Sequence, residues 1–409
     1  MATVHQPYAH CTDAQFADGT MSAVPPSSTA SRDLPIKIWR NVFRYVRAHS
    51  QNQAAQMPLL CRALRAEAES VLYHQPQLTS LRAALVFADT VSAAPHLARW
   101  VRIISFSRWP DHEAPMYANR SCAETNANDR PPDRQLCKLV GLGLKNVMGL
   151  TTILVRDHRA MRTIAAVLDG TNIRVLYITG DHLQLDEPTV AFLKTQQRLK
   201  ELRLYHRDGQ DFDSLGLRRV RILSCSYSFL SGLGAGHLLT QLNVTSVTSE
   251  YDIAGIIRVV GPRLVSLRLE QSVWKQRGRL YPTNGHDWDR CPMLRFLQVR
   301  HCLPHANVMC YLSDDTQDAW NVPPALQTLV WSPAWTRART HHLYPDERKR
   351  AEIRRFAEAV LRASATLRTV IYEWGEEAFY KCFLLRSGEF REIPTISAEA
   401  DDETWSYVR

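Results

Sequence analysis

A chain of 409 residues can hold two or three domains with sizeable cores. Hydrophobic residues make up 45% and charged residues 22%, an ordinary globular balance, and charges interrupt every apolar run, which excludes a membrane-spanning helix as an expectation. The net charge of +9 is carried by arginines spread along the chain, without zinc-finger spacing, an aromatic RNA-binding signature or a long basic run, so an acidic partner or plain solubility is favoured over specific nucleic-acid binding.

Nine scattered cysteines, odd in number and without a C-x-x-C pair, point to reduced thiols rather than a disulfide frame. The first twenty residues lack a basic-then-apolar secretion pattern. Together these features predict a cytoplasmic and/or nuclear protein with no membrane association.

Residues 1–32 are rich in Ser, Thr, Ala and Pro and read as a disordered leader. Folded sequence is expected from Asp33, which can cap a helix whose first turn accepts Pro35. Ile38, Trp39, Val42, Phe43 and Val46 then recur at steps of three and four, with Arg40, Arg44 and Arg47 on the other side. A second helix is expected over Met57–Tyr73, with apolar positions at Leu60, Leu64, Ala68, Val71 and Leu72. The polar stretch from Arg47 to Gln56 shows no clear helix.

The opening Leu34-Pro35, the pairs Ile38-Trp39 and Val42-Phe43 and the phrase Leu60-Cys61-Arg62 resemble an F-box, the small helical module that docks a ubiquitin-ligase adaptor. Val71-Leu72-Tyr73 before Gln77-Leu78, and the later passage of helix, Pro95-His96-Leu97 and strand, resemble the F-box-like proteins of mushroom-forming fungi. The resemblance implies a module over residues 33–78 that binds a Skp-type adaptor of a cullin–RING ligase through Leu34, Pro35, Ile38, Trp39, Val42, Phe43, Leu60 and Leu64. The bland alternative is a two-helix cap on a larger domain.

Residues 79–106 read as a connector, a helix from Leu81 to Val91 and a strand over Trp100–Phe106. Residues 107–135 are polar and aperiodic, a flexible loop. Residues 136–388 carry a recurring phrase of apolar, two variable, apolar, one variable, apolar positions. It reads Leu150/Ile153/Val155, Ile173/Leu176/Ile178, Leu199/Leu202/Leu204, Leu217/Val220/Ile222, Leu239/Leu242/Val244, Leu264/Leu267/Leu269, Leu294/Leu297/Val299, Leu326/Leu329/Trp331 and Leu367/Val370/Tyr372. The starts lie 23, 26, 18, 22, 25, 30, 32 and 41 residues apart. The last two apolar positions have strand spacing, and helical stripes intervene at Val190–Leu193, Ile253–Val260 and Ile353–Leu361. Such a unit cannot bury its apolar face alone, which predicts an irregular leucine-rich-repeat solenoid: an α/β fold with a parallel sheet and helices on the outer face. The rival is a mixed α/β domain with a parallel sheet. Longer insertions at 271–290, 304–324 and 332–344 are candidate binding loops, and 389–409 reads as an acidic tail.

Local signatures of chemistry are weak. Gly232-Leu-Gly-Ala-Gly236 lacks the spacing and the Lys-Ser/Thr of a phosphate loop and reads as a turn. His301, Cys302, His305 and Cys310 lack a second ligand pair for zinc. No nucleophile elbow or H-E-x-x-H occurs. The expectation is therefore a non-enzyme without cofactor or metal: a substrate-recognition subunit of a Skp–cullin–F-box ligase, or alternatively a repeat scaffold with no ligase link. Variable strand positions Arg203, Arg221, Arg268 and Gln298 are the candidate substrate contacts, and their basic character points to an acidic or phosphorylated protein.

Overall fold

The computed structural model describes residues 35–49, 51–60, 62–107, 141, 143–156, 158–165, 168, 173–179, 187–204, 215, 217–230, 237–247, 250–272, 288–303, 322–335, 347–373 and 379–395. The leader, Leu34, the Gly232–Gly236 turn, His305, Cys310, most of the 107–135 loop and of the three insertions, and residues 396–409 lie outside them. The chain forms two compact units, up to Ala68 and from Glu69 onward.

The first unit is helical. Helix α1 spans Ile36–His49, α2 spans Gln51–Leu60, a 3-10 turn covers Arg62–Leu64, and α3 runs Arg65–His74, across the unit boundary. The expected single helix over 57–73 is thus divided, and the supposedly irregular polar stretch is mostly helix. Gln, Ala, Met and Leu in α2 are good helix formers even without an apolar stripe, so periodicity carries no signal there. Pro58 in its interior removes one helical hydrogen bond, and the helix ends two residues later.

In the second unit, thirteen strands form one sheet in strict chain order. They are β1 Gln77–Leu78, β2 Ile103–Phe106, β3 Thr152–Val155, β4 Val175–Ile178, β5 Glu201–Leu204, β6 Ile222–Ser226, β7 Gln241–Val247, β8 Ser266–Ser272, β9 Phe296–Leu303, β10 Thr328–Trp335, β11 Thr369–Glu373, β12 Phe379–Leu384 and β13 Phe390–Thr395. β1 to β11 are parallel; β12 and β13 turn back as an antiparallel hairpin. A doubly wound α/β sheet reverses its strand order at a switch point, and this one never does, so the architecture is mixed α/β with solenoid-like stacking.

Two registers explain the stacking. The second and third apolar positions of each phrase face one side and are fully buried, as Leu202 and Leu204 are. The residue after the first apolar position supplies a carbonyl that accepts two amides from the next unit. Arg174 O takes Lys200 N and Glu201 N at 2.8 and 3.0 Å; Lys200 O takes Arg221 N and Ile222 N at 2.8 and 3.1 Å. The same pairing recurs from Arg102 to Thr369. One phrase is corrected by this ladder. The strand partner of Leu202 is Leu223, so the unit reads Val220/Leu223/Cys225 rather than Leu217/Val220/Ile222. The flanking spacings become 21 and 19 instead of 18 and 22, a more even repeat.

Helices pack behind the sheet: α4 Leu81–Ala93, α5 Pro95–Ala98, α6 His158–Ala165, α7 Glu187–Thr195, α8 Tyr227–Leu230, α9 Glu250–Val260 and α10 Glu347–Ala363. Their apolar stripes, including Val91, Ile164, Leu193, Ile257 and Val360, join the strand residues in one continuous core. Ser80 caps α4 by accepting a hydrogen bond from Ala83 N at 3.0 Å. At Gly261 the turns of adjacent units approach so closely that a Cβ would meet the Arg290 carbonyl at 2.8 Å. The sheet extends beyond the expected domain limits at both ends. β1 lies at the end of the expected 33–78 module and β2 in the connector, and β13 lies past residue 388, where a tail was expected, because Phe390-Arg391-Glu392-Ile393 has hairpin alternation after the Gly388 turn (φ +81°).

Candidate functional site

Helix α1 buries only part of the stripe that its sequence presents. Phe43 is buried and Trp39 and Val46 are half-buried, with the Trp39 and Phe43 rings 5.9 Å apart. The buried arc continues toward the basic side. Arg40 Nε and Nη2 donate to Glu67 Oε2 of α3 at 2.9 and 2.7 Å, and burial lowers the pKa of Arg47. Ile36, Ile38, Val42 and Tyr45 are left 51%, 44%, 41% and 66% exposed. Of the three arginines opposite the stripe, Arg40 and Arg47 are thus half-buried and Arg44 is exposed. The helix is rotated about its axis, trading Ile38 and Val42 for a cationic seam. Leaving two branched apolar side chains nearly half in water forgoes about 1 kcal/mol each of burial, and the partly exposed Arg40–Glu67 pair contributes no more than about 1 kcal/mol in return.

The expected adaptor residues thus divide. Pro35, Ile38 and Val42 are exposed, Trp39 and Leu64 are half-buried, and Phe43 is buried in the packing of the unit. Leu34 and the side chain of Leu60 lie outside the described residues.

On the repeat sheet, the face opposite the core carries one register-matched row: Tyr177, Arg203, Ser224, Asn243, Arg268 and Gln298 on β4 to β9. Three of the four expected substrate contacts are in it. Arg203 is half-buried and already engaged: its guanidinium lies 4.3 Å over the Tyr177 ring and pairs with Glu201 at 2.9 Å, while Tyr177 Oη donates to the same carboxylate at 2.7 Å. Arg268 and Gln298 are buried, beside the Asn243 Nδ2 to Ser224 Oγ hydrogen bond of 2.7 Å. Farther along, Phe296, Val330 and Ile371 form a small apolar cluster on this face. The row therefore presents a half-open aromatic and charged end at β4–β5 and a closed polar middle.

Arg221 is placed elsewhere. It precedes β6 at the rim where strands begin and is exposed. Around it stand Arg174, Arg198, Lys200, Arg219 and Leu238, lining a cavity of about 440 Å³. Attention to strand interiors misses these cations. Their signal is the recurrence of a basic residue directly after the first apolar position in three successive phrases, Ile173-Arg174, Leu199-Lys200 and Val220-Arg221.

Two buried thiols are chemically quiet: burial pushes Cys382 up to about 12 and raises Cys225 further, so neither is a thiolate at neutral pH. Among the described residues, no group of three metal-ligating side chains gathers, and no helix is long and apolar enough to cross a membrane. Compared with known proteins, the chain matches no protein-family model and no curated sequence.

Proposed function

We propose that this chain is a recognition subunit of a Skp–cullin–F-box type ubiquitin ligase, docking a Skp-type adaptor through α1 and holding a protein substrate on a leucine-rich-repeat solenoid. The observation that carries the reading is the exposed Ile38/Val42 edge beside the buried Phe43. A short amphipathic helix has every physical reason to bury such residues, and this one buries part of a cationic face instead. The edge continues the sequence resemblance at Pro35, Ile38 and Val42, with Leu34 beside them in sequence. In this role the chain performs no chemistry. It supplies proximity between a bound substrate and a ubiquitin carrier, in the cytoplasm or nucleus.

The test is capture of a purified Skp-type adaptor by the full chain. Wild type should retain the adaptor; Ile38→Glu and Val42→Glu, which alter exposed positions and leave Phe43 in place, should lose it while unfolding at the wild-type temperature. A folded wild-type chain that retains no adaptor leaves the alternative, a repeat scaffold without a ligase link.

A further inference from the structure

Three successive units place cations at equivalent points. Arg174, Lys200 and Arg221 each follow the first apolar residue of their phrase, and Arg198 and Arg219 each precede that residue in two of the three units. Adjacent strands lie ~4.8 Å apart, so the first three residues span about 10 Å along one rim. Their positions are fixed by the backbone ladder, since each carbonyl of the three accepts two amides of the following unit. All five side chains are exposed, and none pairs with a carboxylate among the described residues. Leu238, 42% exposed, occupies the position before the first apolar residue in the next unit and adds an apolar side chain to the lining of the cavity.

The five residues line a concavity of about 440 Å³, largely with their aliphatic stems, and gather like charges around it that have no carboxylate partner among the described residues, an arrangement that like-charge repulsion disfavours. The rest of the molecule shows the alternative. Arg203, Arg350 and Arg362 are each paired with a glutamate within 3.0 Å. A rim that needed only solubility has no reason to gather its cations around a cavity of small-ligand size. Arginine forks bind phosphate oxygens in pairs, lysine adds a point charge, and a ladder-held scaffold loses little entropy on binding.

We propose that this rim pocket binds clustered phosphates: a ligand with two or more phosphate groups within about 10 Å, either free in solution or as a lipid headgroup. A single phosphate can engage only two or three of the cations at once. A flat membrane leaves the concavity unfilled unless a headgroup enters it. The proposal is independent of adaptor docking, since α1 contributes none of these residues.

The full chain is titrated at low salt with inorganic tripolyphosphate and, separately, with orthophosphate, following binding by calorimetry and thermal unfolding. Tripolyphosphate should bind at least ~10-fold tighter than orthophosphate, raise the unfolding temperature, and weaken steeply with added salt. Lys200→Gln/Arg221→Gln should lose binding by ~10-fold or more while, without ligand, unfolding at or above the wild-type temperature, because a repulsion is removed. Arg258→Gln, on the exposed side of α9, should change neither property. Ile38→Glu should keep tripolyphosphate binding, which separates failure of this proposal from failure of the adaptor reading. Vesicles carrying a polyphosphorylated lipid that are released by tripolyphosphate would assign the headgroup source. The proposal is overturned by no tripolyphosphate binding, by equal affinity for orthophosphate, by equal loss in Arg258→Gln, or by a single-stranded oligonucleotide binding tighter than tripolyphosphate at the same site.

Discussion

Ile222 and Leu223 are adjacent, both apolar, and meet opposite surroundings. Leu223 points into the continuous core with no exposed surface, while Ile222 sits half-buried beside Phe296, Val330 and Ile371 on the other face. Sequence alone favoured Ile222 because a β-branched residue two places after Val220 fits strand alternation; the strand begins at Ile222, so the inward set is Leu223 and Cys225. Leu223→Ala should therefore cost about 2–5 kcal/mol in urea unfolding, and Ile222→Ala about 1 kcal/mol. Equal costs would restore the other register. Tyr372 offers a second test. Its buried hydroxyl donates to Glu392, which also accepts from Arg350 at 3.0 Å, and Arg350 lies 4.2 Å over the Tyr380 ring. Burial, then the Glu392 carboxylate, raises the Tyr372 pKa above its ordinary 10.0. The folded chain thus keeps a proton that the unfolded chain releases near pH 10. That stabilisation is complete below pH 10 and falls as the pH rises toward the raised folded value. Tyr372→Phe should cost about 1.5–3 kcal/mol at neutral pH through the lost hydrogen bond to a charged acceptor. Its penalty should shrink above pH 10. Some alkaline loss persists in the variant, because Cys382 is pushed up to about 12 from its ordinary 9.0 and acts with the same sign.

At the scale of the element, α1 and α2 show what periodicity can and cannot reveal. The α1 stripe was legible and set the helix correctly, because five apolar residues recur at helical steps. The rotation of the helix was not, because it depends on a partner 27 positions away, Glu67, which takes Arg40 into the seam. Helix α2 was illegible for a different reason: its apolar residues are not gathered on one side, and only Met57 is buried among those whose side chains are described. The exposure of the candidate edge was only partly legible in the same sense. Sequence grouped the exposed Pro35, Ile38 and Val42 with the buried Phe43, since a stripe does not say which of its edges is covered. Phe43→Ala should remove about 3–5 kcal/mol and abolish the cooperative melting of the helical unit, whereas Val42→Ala should change stability by less than about 0.5 kcal/mol. Circular dichroism melts of both variants decide whether the division between packing and docking residues is right.

At the scale of the whole repeat unit, the strand-forming phrases were legible because each has to bury the same two inward residues against its neighbours. The ends were not, since a terminal unit has one neighbour and follows a different rule. β1 is only two residues long, which leaves little unpaired edge. At the other end the chain reverses direction. β12 pairs with β11 in antiparallel register, from Val370 with Cys382 to Glu373 with Phe379, and β13 follows with Arg391, Glu392 and Pro394 on the outermost strand. Charges and a proline are what keep an exposed edge from templating another chain. The hairpin is also tied to α10, through Arg350 and Arg354 to Glu392 at 3.0 and 3.5 Å. Deleting residues 374–409 would strip these contacts together, uncover the β11 edge with Val370, Ile371 and Tyr372, and remove Glu392 from Arg350. The expected outcome is a lower unfolding temperature and concentration-dependent association by light scattering, while Glu392→Ala alone should lower stability and leave the chain monodisperse. If the truncated chain stays monodisperse at the wild-type unfolding temperature, the hairpin is an appendage rather than the cap that ends the stack.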